Sequence, residues 1–163
     1  MIKMLRIDDR LIHGQVAVVW SKNLGVSRII VASDVISKNA IQKSALKMAA
    51  PDNVKTFIES IDKAIDILND SRATNLPILL VMNNPIEVKK LLEGLSQEAK
   101  PRIMDLANYG RIDGALEEKN KISDTVYLTP DEVQIFKDLS KEGFKFIHQP
   151  LPSDAIKKLD DLI

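Results

Sequence analysis

The chain has 163 residues, 45% of them hydrophobic and 28% charged, which suits a globular fold with a core of its own. Lysine plus arginine match aspartate plus glutamate at 23 each, so no basic excess points to nucleic acid and any anion site must be local. There is no cysteine, which excludes disulfides, thiolate catalysis and cysteine-ligated zinc.

Ile2 to Ile7 reads as a first strand. Arg6, Asp8, Asp9 and Arg10 interrupt any apolar stretch there, so the start is not expected to be a secretory signal. No apolar run approaches the roughly 20 residues that span a bilayer, and a cytoplasmic location is expected. Gln15 to Asn23 has helical periodicity, with Val16, Val19 and Trp20 on one face and Gly25 past the end. Arg28 to Ser33 is a β-branched second strand, expected to be buried on both faces. Ser37 is read as the cap of a helix to about Ala50, with Ile41, Ala45 and Met48 inward, and Pro51 stops it.

Val54 to Ile58 is a third strand. Ser60 then caps a helix carrying Ile61, Ile65 and Leu68. Ile78 to Met82 is the most apolar strand. Asn84-Pro85 opens the next helix as a cap followed by proline, and Val88, Leu91, Leu92 and Leu95 form its inner face. Arg102 to Leu106 and Thr125 to Leu128 read as the fifth and sixth strands. Thr129-Pro130 repeats the cap signal for a helix with Ile135, Phe136 and Leu139, ended by Gly143. Phe144 to Gln149 is a last strand, and Ser153 is read as the cap of a terminal helix to Leu162. Ala107 to Lys121 is the longest irregular stretch, of a length that suggests a functional loop. Strand–helix alternation throughout predicts one α/β domain over 1–163: three layers, α/β/α, around a mainly parallel open sheet of six to seven strands. Ligands of such sheets gather outside the carboxyl ends of the strands.

The first loop at that edge is Asp8-Asp9-Arg10-Leu11-Ile12-His13-Gly14. A helix start offers unpaired N–H groups and about half a positive charge. Arg10 adds a planar fork of donors suited to phosphate oxygens. His13, with a reference pKa of about 6.5, can attack phosphorus as a neutral imidazole. Asp8 or Asp9 could accept the proton of one ring nitrogen and orient the other as nucleophile. Gly14 lets the backbone approach a ligand closely or take a positive φ. Asp34, Asn83 and Asn84 follow neighbouring strands and are candidates for the site edge, although turn formation and helix capping account for them as well. His148 reads as structural. Two distant histidines make no zinc site, and no metal or cofactor is expected.

The run Arg6-Ile7-Asp8-Asp9-Arg10-Leu11-Ile12-His13-Gly14-Gln15-Val16 resembles the signature of IIB components of the mannose/fructose/sorbose family of the bacterial phosphoenolpyruvate-dependent sugar phosphotransferase system. Val26 to Val31, Ser33-Asp34, Ala50-Pro51 and Asn84-Pro85 add to the likeness. The resemblance implies a phosphotransferase in which His13, through Nδ1, accepts a phosphoryl group from a IIA phosphohistidine. It then passes the group to a sugar held by membrane components IIC and IID. It further implies that Arg10 steadies the phosphate and that Asp9 and then Asp8 fix the loop or the ring. Cytoplasmic placement against the membrane permease and self-association are also implied. Relatives often carry paired glycines after the fifth strand, whereas this chain has Asp105-Leu106-Ala107-Asn108-Tyr109-Gly110-Arg111.

A different class of protein, a phosphorylated receiver domain, would also use an acidic pair after the first strand. It further needs an aspartate after the third strand and a lysine after a later one. Here the third strand runs into Glu59, and Ile78 to Met82 runs into Asn83. No glycine-rich nucleotide loop is present.

Overall fold

A computed structural model describes residues 1–163. Five helices are named: α1 (Ser21–Leu24), α2 (Ala40–Ala49), α3 (Ile61–Asn69), α4 (Pro85–Gly94) and α5 (Pro130–Lys141). Seven strands, β1 (Ile2–Asp8), β2 (Arg28–Ala32), β3 (Lys55–Glu59), β4 (Ile78–Met82), β5 (Met104–Asn108), β8 (Phe146–His148) and β9 (Lys157–Lys158), form one sheet ordered β3-β2-β4-β1-β5-β8-β9. All neighbours are parallel except β8 and β9. β6 (Asn120–Lys121) and β7 (Tyr127–Leu128) form a separate antiparallel pair. The expected three-layer α/β/α fold is therefore present, with seven strands in its sheet.

The alternation of β1 divides the core. Leu5 and Ile7 join the larger apolar cluster with the inner faces of α3, α4 and α5. Met4 joins the smaller cluster, with Leu11, Ile12, Val16, Trp20 and the inward residues of β2 and β4. β4 is buried at every position, as a parallel strand covered on both faces requires. Ser60, Asn84 and Thr129 cap α3, α4 and α5 as their sequence positions predict, and Thr129 with Glu132 completes a capping box. No helix is long and apolar enough to cross a membrane.

Several expectations are corrected. The helical run after the first loop begins in wide π-type turns, Gln15–Trp20, before α1. These turns carry Val19 off the face it would share with Val16 in an α-helix, so Val16, Ala17 and Trp20 are buried and Val19 is exposed. Asn39, not Ser37, caps α2. Ile41 and Met48 are 83% and 86% exposed, and Leu46 and Ala50 pack inward instead. The helix offers two apolar stripes, and its neighbours choose between them. Thr125 to Leu128 lies outside the main sheet. β5 runs to Asn108, so Ala107 belongs to a buried strand and not to the loop. The expected terminal helix from Ser153 is absent: β9 covers the open edge of β8, and a 3₁₀ turn, Leu159–Asp161, follows. Closing an exposed edge with a short lysine-bearing strand protects it from pairing with other chains.

These burials make a contrast that urea denaturation can check. Leu91→Ala removes a fully buried side chain of α4 and is expected to cost about 2–5 kcal/mol. Met48→Ser, which removes an apolar group of similar size from an exposed position, is expected to stay within about 0.5 kcal/mol.

Candidate active site

β1 lies at the centre of the sheet between β4 and β5, and its carboxyl end feeds the loop that carries His13. The register shifts between Ile7 and Asp8, setting Asp8 opposite Asn108. Asp9 N–H then donates to the Asn108 carbonyl at 2.9 Å, and Leu11 N–H donates back to the Asp8 carbonyl at 3.0 Å. Leu11 closes this turn in the left-handed region, φ 54°. Such a backbone costs a non-glycine residue roughly 1–3 kcal/mol; burial of its side chain in the smaller cluster opposes that cost. Gly14, expected to be the permissive residue, has an ordinary helical φ of −46°, and a methyl group there would meet nothing within 4 Å.

His13 is mostly buried, its side chain 15% exposed. Its Nε2 lies 2.9 Å from Asp8 Oδ2. A carboxylate only accepts, so Nε2 carries the hydrogen, and in the neutral ring the lone pair lies on Nδ1. Asp8 itself is fully buried. Its Oδ2 also accepts from Arg6 Nη2 at 3.1 Å and from Asn108 Nδ2 at 3.3 Å, and its Oδ1 accepts from Arg10 N–H at 3.1 Å. Burial by itself would raise the Asp8 pKa, but the bond from His13, the Arg6 charge and the Arg10 amide outweigh it and hold the carboxyl below its ordinary value.

The two carboxylates expected near the ring separate in role. Asp8 meets His13. Asp9 accepts from Arg111 N–H at 3.2 Å and so ties down the loop after β5. Burial raises the Asp9 pKa, partly offset by the amides of Arg111, Gly110 and Ile112. Tyr109, just after β5, is anchored: its O–H donates to Glu132 Oε1 at 2.6 Å. Gly110 is required beside it, because a Cβ there would lie 1.9 Å from the Tyr127 carbonyl oxygen.

The Arg10 side chain is 49% exposed, with Nε 4.0 Å from Asp8 Oδ1. Arg10, Asp9, Asn83 and Asn84 line a cleft of about 590 Å3 where β1 and β4 end. Helices leave these neighbouring strands toward opposite faces, which makes this gap the switch point of the sheet. Within it, Asn84 Oδ1 already caps α4 through Ile86 N–H and Glu87 N–H. Asp34 is not part of the lining; its Oδ1 accepts from Ile61 N–H at 2.8 Å, at the start of α3. His148 is buried on β8, with Nδ1 2.7 Å from the Leu106 carbonyl oxygen.

Three residues behind the site escaped sequence reasoning: Arg6, Asp105 and Asn108. The Arg6 and Asp105 side chains are fully buried and paired at 2.9 Å, Nη1 to Oδ2. Trp20 stacks on the guanidinium with its ring centroid 5.5 Å from Cζ. One signal was available: Arg6 is a charge set between Leu5 and Ile7 in a strand whose neighbouring positions are buried.

A family model described as "PTS system sorbose subfamily IIB component" matches residues 2–163. The chain belongs to this family of phosphotransferase system IIB components. It is 36% identical over 165 residues to a probable phosphotransferase enzyme IIB component of Streptococcus pyogenes serotype M6, covering 100% of this chain and 99% of that protein. The sorbose-specific EIIB component of Lacticaseibacillus casei is 35% identical over 165 residues, covering 99% and 96%. The crystal structure of the IIBSor domain of the sorbose permease from Klebsiella pneumoniae superimposes with a TM-score of 0.87 at 27% identity, covering 99% of this chain and 94% of that one. A phosphocarrier role in sugar transport follows for this IIB component at the level of the family.

Proposed function

We propose that residues 1–163 form one IIB domain that takes a phosphoryl group on His13 Nδ1 from a phosphohistidine of a IIA partner. The domain then passes the group to a sugar held by membrane components IIC and IID. It works in the cytoplasm, against the permease. The observation that carries this reading is the contact between His13 Nε2 and Asp8 Oδ2, which leaves Nδ1 as the nucleophilic nitrogen.

The step balances without a cofactor. The Nδ1 lone pair forms a new N–P bond as the donor N–P bond breaks, and the donor ring keeps the departing electron pair and becomes neutral. The His13 ring becomes cationic, with hydrogen on Nε2 and phosphorus on Nδ1, and the Asp8 carboxylate faces that new charge. No proton has to move during this first transfer; in the second, the His13 N–P bond breaks, Nδ1 keeps the electron pair, and the sugar hydroxyl gives up its proton as its oxygen bonds to phosphorus. Catalysis then consists of positioning and charge stabilisation. Arg10, exposed at the mouth, supplies donors to the phosphoryl oxygens. Acyl phosphate chemistry fits poorly, since both Asp8 oxygens are already engaged by donors.

Incubation with labelled phosphoenolpyruvate and the upstream carriers tests the proposal. The expected product is acid-labile and base-stable, as N-linked phosphohistidine is; base-labile label would overturn it. Arg10→Lys is expected to slow transfer roughly tenfold or more, because a point charge replaces a planar fork; an unchanged rate removes Arg10 from the site. Gly14→Ala is expected to hold stability within about 1 kcal/mol while slowing label uptake, since its methyl group occupies open space next to His13. Uptake at the normal rate would exclude Gly14 from phosphate binding.

A further inference from the structure

Behind Asp8 lies a buried chain of charges that the transfer step does not itself touch. In the parallel register Arg6 stands opposite Asp105, while Asp8 lies two residues along β1 on the same face as Arg6. The guanidinium is divided between them. Nη1 donates to Asp105 Oδ2 at 2.9 Å and Nη2 donates to Asp8 Oδ2 at 3.1 Å. All three side chains are fully buried, and Arg6 Nε has no hydrogen-bond partner. Gln149 N–H holds the other Asp105 oxygen, Oδ1, at 2.9 Å. Trp20 covers the guanidinium face and is itself pinned by its indole N–H donating to the Pro150 carbonyl at 2.9 Å.

We infer that Asp105 and Arg6 are positioning residues for His13: Asp105 takes one arm of the Arg6 fork and so holds the guanidinium to a single contact with Asp8, on Oδ2, the oxygen that also accepts the imidazole Nε2–H. A guanidinium facing a single carboxylate pairs with both of its oxygens through two parallel N–H bonds. Were Arg6 free to do that with Asp8, the carboxylate would turn to meet both arms of the fork and Oδ2 would leave its present direction toward the ring. The second carboxylate prevents that turn. It turns one edge of the fork toward β5, while Trp20 and the Gln149 amide prevent rotation of either end. A buried ion pair is a weak source of stability, because desolvation consumes much of its attraction. A role in holding one arrangement accounts better for two carboxylates around one arginine. The inference rests on the reading of His13 as the phosphoryl acceptor, but its principal test does not use phosphate.

That test is the tautomer of His13 in the unphosphorylated protein, read from imidazole 15N shifts. The wild-type ring is expected to carry its hydrogen on Nε2. Asp105→Asn is nearly isosteric and keeps an acceptor for Gln149 N–H, yet releases Arg6 toward Asp8. It is expected to produce a mixture of Nε2–H and Nδ1–H forms and to slow phosphoryl uptake roughly 10- to 100-fold, as small misplacements of a reacting group do, with the KM for the IIA donor unchanged. Arg6→Lys keeps the charge but loses the fork, and is expected to mix the tautomers likewise. A folded Asp105→Asn or Arg6→Lys protein with the wild-type Nε2–H tautomer overturns the inference and leaves the ion pairs as structure alone. Wild-type protein that takes up no label on His13 overturns the functional reading instead, whatever the tautomer result.

Discussion

The expected result for His13→Ala is a folded chain that takes up no acid-labile phosphate from phosphoenolpyruvate and the upstream carriers. The argument is chemical. The imidazole is the only group at this strand end that combines an unprotonated nitrogen with a carboxylate able to face the charge created by transfer. The other histidine offers no substitute, because His148 is buried with Nδ1 against the Leu106 carbonyl. Folding is expected to survive. Without the ring, Asp8 still accepts from Arg6, Asn108 and the Arg10 amide, so the loss is one hydrogen bond among four, about 1–3 kcal/mol. Near-ultraviolet dichroism of Trp20 monitors the fold, and gel autoradiography after acid and base treatment monitors the label. Acid-labile label on the alanine variant would sink the assignment of His13.

Asp8→Asn is expected to damage both chemistry and stability. An asparagine amide presents two N–H donors where the carboxylate only accepted, so one side of the residue opposes its present partners. The ring loses its anchor and its enforced tautomer, and uptake is expected to fall roughly 10³- to 10⁴-fold, by analogy with loss of a tautomer-fixing aspartate in a hydrolase triad. Removing one member of a buried ion pair is expected to cost about 3–5 kcal/mol. The sign of the pH effect identifies the cause. The folded Asp8 pKa lies below the unfolded value near 3.8, so its stabilising contribution is complete above that value and is lost as pH falls through the folded pKa. Loss of stability below pH 4 is therefore expected to be shallower in Asp8→Asn. Asp105 runs the other way. Burial, opposed by Arg6, lifts it to about 7, so the native state binds the extra proton and stability declines as pH rises from about 4 to 7. In Asp105→Asn that decline is expected to flatten. Urea unfolding of the three proteins across pH 2 to 8 reads both effects; identical pH profiles would sink the charge argument.

Local sequence rules were sufficient wherever the chain answers to its own neighbours. The caps at Ser60, Asn84 and Thr129 are read from residue types because the side chain bonds to N–H groups two or three residues ahead. Burial of β4 is legible because a parallel strand between two helical layers has no polar face to show. The same rules failed where distant packing decides. Ser153 to Leu162 has a helical pattern, but the unpaired edge of β8 offers its backbone hydrogen bonds, and the segment is partly extended there. The apolar stripe of α2 at Ile41 and Met48 obeys helical spacing and still faces outward.

The sequence by itself determined the strand–helix alternation and the family resemblance and singled out the candidate segment Asp8 to Gly14, because these lie in contiguous residues. Only the tertiary structure decided which carboxylate meets His13. Asp8 ends β1 and Asp9 opens the turn after it; the register shift beside Asn108 goes with Asp8 turned to the ring and Asp9 to Arg111. Only the tertiary structure, too, brought Asp105 to Arg6, 99 residues away in the chain. Strand pairing is set by how the two faces of the sheet bury their apolar residues, and no local pattern in β1 names its neighbour.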